Sequence, residues 1–182
     1  NTGGSVAGLT TISGTGTVTN AGTLANVVNS GTFTNELGGI AGTVDNQATG
    51  TFANDAGGTT GAVTNAGSGS NAGTIAALTN TGGTFGNTGT VTGSATQSGG
   101  TVTNTGSVGG TLTVTGGLFD QNTGGSIAGL TTIGDAGTVT NAGTLANVIN
   151  AGAFTNQSGG VAGSVTNQAA GTFINLGGAA AG

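Results

Sequence analysis

The chain has 182 residues, 43 of them glycine, and it contains no lysine, arginine, histidine, cysteine, methionine, proline, tryptophan or tyrosine. Its only charged side chains are Glu36, Asp45, Asp55, Asp120 and Asp135, for a formal net charge of −5. A histidine base, a cysteine nucleophile, a Schiff-base lysine and an arginine clamp are thereby excluded, as is the cationic surface that nucleic acid or an anionic membrane requires.

The strand signals are regular from Thr17-Val18-Thr19-Asn20 onward. There the apolar residue points one way and its two threonines the other, as a two-residue period requires. The same pattern returns as "TFTN" at 32–35, "TFAN" at 51–54, "AVTN" at 62–65 and "ALTN" at 77–80. It continues as "TFGN" at 84–87, "TVTN" at 101–104 and again "TVTN" at 138–141. Val18, Phe33 and Phe52 stand 15 and 19 residues apart, as do Val139, Phe154 and Phe173. The marker near 70 is weak, since "GSGSN" holds no large apolar side chain. β-Branched residues favour extended backbone, and a glycine inside a helix costs about 1 kcal/mol. Strands are expected throughout, and no helix.

A longer period lies above this one. At an offset of 121 residues, positions 1–61 match 122–182 without a gap, with about two-thirds of residues identical. "TVTNAGTLANVVN" at 17–29 returns as "TVTNAGTLANVIN" at 138–150. Val6 to Ile127, Val28 to Ile149 and Ile40 to Val161 are the volume-conserving changes that a packed interior tolerates. Residues 1–121 are read as one long unit of about seven coils, and 122–182 as a partial second copy in one continuous solenoid. A chain that starts at Asn1 and stops within a repeat is the expectation for a processed product or a window cut from a longer array.

Coils with two or three inward apolar residues cannot bury themselves, but stacked coils share one narrow core. The expected fold is therefore an all-β parallel solenoid, a β-helix of about 17 residues per coil and roughly ten coils. The general preference of parallel crossovers makes it right-handed. Core candidates are Val18, Leu24, Val28, Phe33, Val44, Phe52, Val63, Phe85, Val102, Val139, Phe154 and Phe173. Asparagine at a strand end suits a corner, because it tolerates left-handed backbone and its amide can bond to the asparagine of the next coil. Corner and ladder candidates are Asn20, Asn35, Asn54, Asn65, Asn80, Asn104, Asn141, Asn156 and Asn175.

Strings such as "GTVTNAGTLANV", "GTFTNELGGI" and "AGTVDNQATGTF" resemble the Gly/Asn/Thr-rich repeats of bacterial type V secreted surface proteins, the autotransporter passengers and large filamentous adhesins. The resemblance covers essentially the whole chain. It implies a right-handed parallel β-helix on the cell surface, serving adhesion, biofilm cohesion or as a stalk. The absence of any basic residue departs from that pattern. The expected role is a structural extracellular rod or fibre that self-associates by coil stacking into filaments, with a surface, glycan or matrix target. The alternative is an ice- or crystal-binding solenoid using Thr17, Thr19, Thr32, Thr34, Thr101, Thr103, Thr138 and Thr140 as outward Thr-x-Thr pairs.

No catalysis, metal or cofactor is expected. The acids fall in no EF-hand loop and no Gly-Gly-x-Gly-x-Asp repeat. The best carboxylate pair, Asp45 and Asp55, becomes Thr166 and Leu176 in the second copy. No apolar run approaches the ~18 residues of a spanning helix.

Overall fold

The computed structural model describes residues 2–182. Its 24 strands form one continuous system of parallel pairings, with no helix among the described residues. Each strand stacks on the one a coil before it, so the chain winds forward as a β-solenoid of about ten turns.

Each coil has three faces. The wide face carries four residues per coil, from Thr17–Asn20 through Thr32–Asn35 and onward to Thr172–Asn175. The narrow face carries two, as in Thr23-Leu24 stacked on Ile40-Ala41. The third face carries three, as in Val27–Asn29 stacked on Val44–Asn46. Nine strand residues per coil stay nearly constant while the corners vary, and this accounts for the irregular spacing. The step along the wide face is 15 residues from Asn20 to Asn35, 19 to Asn54, 17 to Asn71 and 16 to Asn87.

A short corner is two residues, such as Ala21-Gly22 between the wide and narrow faces of one coil. The same corner one coil on is Glu36–Gly39, a type II turn closed by the Gly39 N–H donating to the Glu36 carbonyl at 2.8 Å. Position three of such a turn needs a positive φ, and Gly38 supplies it at 79°. Close approach imposes a second demand for glycine. A Cβ on Gly42 would lie 1.6 Å from the Ala25 carbonyl oxygen of the coil before.

The interior consists of files that run along the axis. All six phenylalanines, Phe33, Phe52, Phe85, Phe119, Phe154 and Phe173, lie in the inward file of the wide face with Val18, Gly69, Val102 and Val139. Phe33 stacks on Phe52 with ring centres 5.7 Å apart, and Phe154 on Phe173 at 5.1 Å. Fully burying such a side chain contributes about 1.5–3 kcal/mol. Gly69 occupies the weak coil. A Cβ there would meet the Phe85 ring at 2.4 Å, so the ring fills the room that the glycine leaves.

The structure corrects several expectations. Val28 does not face inward: Val27 is buried, and Val28 sits half-buried on the outer side of the third face, beside Asp45. The Val28 to Ile149 change is therefore a surface change, and Ile40 and Val161 also face outward, 51% and 45% exposed. Alternation alone could not choose between two adjacent valines. Asn29 settles the phase, because its buried amide places Val27 on the same inner side. Val18 and Phe173, in the first and last rows of the wide-face file, are only partly buried against the core. The weak marker near 70 is Gly69. No corner asparagine adopts left-handed backbone, because every positive φ among the described residues belongs to glycine.

Candidate functional site

The chemistry inside the rod is amide chemistry. On the wide face the fourth residue of each coil points inward, and Asn20, Asn35, Asn54, Asn71, Asn87, Asn104 and Gln121 form one file. Each side-chain nitrogen donates to the oxygen of the next residue, at 2.8 Å for Asn20 to Asn35 and 2.7 Å for Asn104 to Gln121. After Gln121 the file restarts as Asn141, Asn156 and Asn175. A second ladder occupies the end of the third face. Asn29 donates to Asn46, Asn46 to Asn65 and Asn65 to Asn80, each at 2.7 Å, and Asn80 to Gln97 at 3.1 Å. Asn150 and Asn167 resume it at 2.7 Å.

The nine asparagines picked from the sequence thus divide between two files. Asn20, Asn35, Asn54, Asn104, Asn141, Asn156 and Asn175 belong to the wide-face file, and Asn65 and Asn80 to the third. "AVTN" and "ALTN" look like the wide-face motif but carry the third-face register. The candidate set left out Asn29, Asn46, Asn71, Asn150, Asn167, Gln97 and Gln121, and also Asn87, although its "TFGN" fits the motif. The signal for the third-face members is an apolar residue, one spacer, then Asn or Gln: "VVN", "VDN", "VTN", "LTN", "ATQ". Every rung is directional, with nitrogen toward the C-terminal coil. A mid-ladder asparagine also satisfies its corner, as when Asn35 donates to the carbonyls of Gly39 at 3.1 Å and Thr59 at 3.2 Å. The ladder therefore binds corner to corner as well as rung to rung. Burying so many amides is sustainable because nearly every donor and acceptor is paired; the exception in the ladders is the Asn150 oxygen, which stacks over Ile133 without a partner.

Outside, the wide face presents two files of side chains. Thr17, Thr32, Thr51, Ser68, Thr84 and Thr101 align in register, a run of hydroxyls over six coils. The second file runs Thr19, Thr34, Ala53, Ser70, Gly86 and Thr103. Beyond them Leu118 and Asp120 interrupt both files before Thr138 and Thr140, and the Thr140 hydroxyl donates to the Asp120 carboxylate. A single hydroxyl file, Thr64, Thr79, Thr96, Thr113 and Thr132, runs up the outer side of the third face.

The acids are spread over different corners and faces, apart from Glu36 and Asp55, which sit one coil apart at equivalent positions. Asp45 lies on the third face and Asp55 in the corner after the wide face of the next coil. Glu36 and Asp55 hold the same corner position in successive coils, their N–H groups bonded to the carbonyls of Asn20 and Asn35. Asp135 is exposed in the corner before Thr138. Among the described residues no cavity opens and no three potential metal ligands gather. No helix is long and apolar enough to cross a membrane.

These features define the chain as a parallel β-solenoid repeat protein with two internal amide ladders. No protein-family description and no curated protein matches it. Among solved structures it is similar to a fragment of TibA hyper-glycosylated by TibC, at 18% identity and a TM-score of 0.37, over 95% of this chain and 98% of that one. A likeness at that level assigns neither fold nor function, and both rest on the geometry above.

Proposed function

We propose that the chain is a structural rod of a bacterial cell surface, a passenger-type segment of a type V secreted protein that serves extension, cohesion and adhesion. The observation that carries this reading is the continuity of the fold along one axis. Backbone pairings, phenylalanines and amides all repeat in that direction. Ten coils at ~4.8 Å each hold the two ends of the chain roughly 45 Å apart. The Gly/Asn/Thr-rich coil strings support the surface placement. The dispersed acids support a scaffold role without catalysis, cofactor or metal. Self-association through coil edges, and a glycan or matrix target, belong to the same reading, because an unpaired strand edge templates addition of another strand.

The test separates a spacer from a specific adhesin. The parent gene is deleted for this segment, then complemented either with the segment or with an unrelated solenoid of equal length. Adhesion restored by both supports a rod whose length matters. Adhesion unaffected by the deletion sinks the proposal.

The hydroxyl files favour one second reading, binding to ice or another crystalline surface. Two files, two residues apart along each wide-face strand, stack coil on coil over six successive coils. Ala53, Gly86, Leu118 and Ala153 interrupt them, so this reading ranks second. Thermal hysteresis in a purified sample decides it, and a null value at millimolar protein removes it.

A further inference from the structure

We propose that Gln97 is a stop residue that ends the third-face amide ladder and keys the stacking order of the coils. Both runs that begin near the N-terminus finish in glutamine, and no glutamine occupies a position inside a run. Gln97 accepts from Asn80 as a rung would. Its nitrogen then turns back to its own corner, donating to the Gly99 carbonyl at 2.7 Å and that of Gly100 at 2.9 Å. Gln121 behaves differently: it accepts from Asn104, but its nitrogen goes forward to the Thr144 carbonyl of the next coil at 3.3 Å, as a mid-ladder asparagine's does, and Asn141 stacks directly above it.

The extra methylene explains the choice of residue. An asparagine amide is held near the plane of its strand and presents its nitrogen to the next coil. A glutamine amide can place its oxygen on the rung and swing its nitrogen into the corner, so no further acceptor is required. The surroundings are shaped for this. A Cβ on Gly117 would lie 2.8 Å from the Gln97 nitrogen. Past Gln97 the file turns aliphatic, with Val114 and Ile133 buried where amides stood.

A stop of this kind resolves an ambiguity. Asparagine on asparagine is the same rung at every level, so coils slipped by one turn would keep their bonds. The stop at Gln97 and the aliphatic rungs above it remove that equivalence on the third face, because a slipped coil leaves a forward asparagine nitrogen facing Val114 or Ile133 with no acceptor on the rung.

The test is a double-variant cycle on the whole chain, read by thermal melting. Val114→Asn is expected to lower the midpoint by about 3–8 °C, because its oxygen meets no donor while the Gln97 amide faces the corner. Gln97→Asn in the same chain turns a donor forward, so the double variant melts above Val114→Asn alone. A double variant that melts at or below Val114→Asn overturns the proposal. A second measurement needs no variant: the Gln97 side-chain NH2 protons should exchange at least about ten-fold more slowly than those of exposed Gln168. Equal rates overturn the proposal as well.

Discussion

Replacing Asn54 by aspartate tests the ladder at its chemical centre. Asn54 is 1% exposed, accepts from Asn35 at 2.8 Å and donates to Asn71 at 2.7 Å. It also donates to the carbonyls of Gly58 and Thr74, each at 3.2 Å. An ionised aspartate in its place would have no proton for Asn71 and would set a buried carboxylate oxygen against the Asn71 oxygen. The protonated acid keeps both rungs, losing only the corner bonds, at a cost of about 1–2 kcal/mol. Burial and the opposed oxygen therefore raise the folded-state pKa above the ordinary value of about 3.9, by roughly 3 units. The sign follows from that direction: the folded form holds the proton more tightly, so stability is intact below pH ~4 and is lost as pH rises toward the folded value. At 1.36 kcal/mol per unit, the additional loss by pH 7 is about 4 kcal/mol. Urea titrations followed by circular dichroism at pH 3 and pH 7, on wild type and Asn54→Asp, give the difference directly. A destabilisation that is the same at both pH values would refute the reasoning, for it would mean that Asn54 does not donate a buried rung.

The remaining predictions concern packing. Val27→Ala should cost about 2 kcal/mol and Val28→Ala less than about 1, since only Val27 is buried; denaturant midpoints distinguish them, and equal costs reverse the assigned phase. Gly69→Ala should cost about 1–3 kcal/mol because the added methyl meets the Phe85 ring, and Phe85→Leu in the same chain should recover part of it. Gly42→Ala, whose methyl would collide with the Ala25 carbonyl, should lower the melting midpoint far more than Gly8→Ala, where nothing lies within 4 Å. A similar response at the two glycines would show that coil-to-coil approach is looser than described.

Much of the fold was legible because its causes are local. Alternation in Thr-Phe-Thr-Asn sets which side chains turn inward, β-branched residues favour extension, and a coil too small for its own core implies stacking. The 121-residue offset needed no structure either. Which residues meet was a different matter, for it depends on where the preceding coil left the chain. Corners of two to four residues shift the spacing from 15 to 20, so sequence distance does not reveal the file to which an asparagine belongs. Asn65 and Asn80 share the wide-face motif yet stack on the third face, and Gln97 and Gln121 keep its spacing but replace its asparagine. Val27 and Val28 are equally apolar, and only the buried Asn29 amide selects between them. By itself the sequence determined a strand-built, repeating rod with phenylalanine inside and hydroxyls outside, because those follow from period and propensity. Only the tertiary structure decided the two ladders, their direction and the stop at Gln97, because a hydrogen bond between coils exists only once register has brought its partners together.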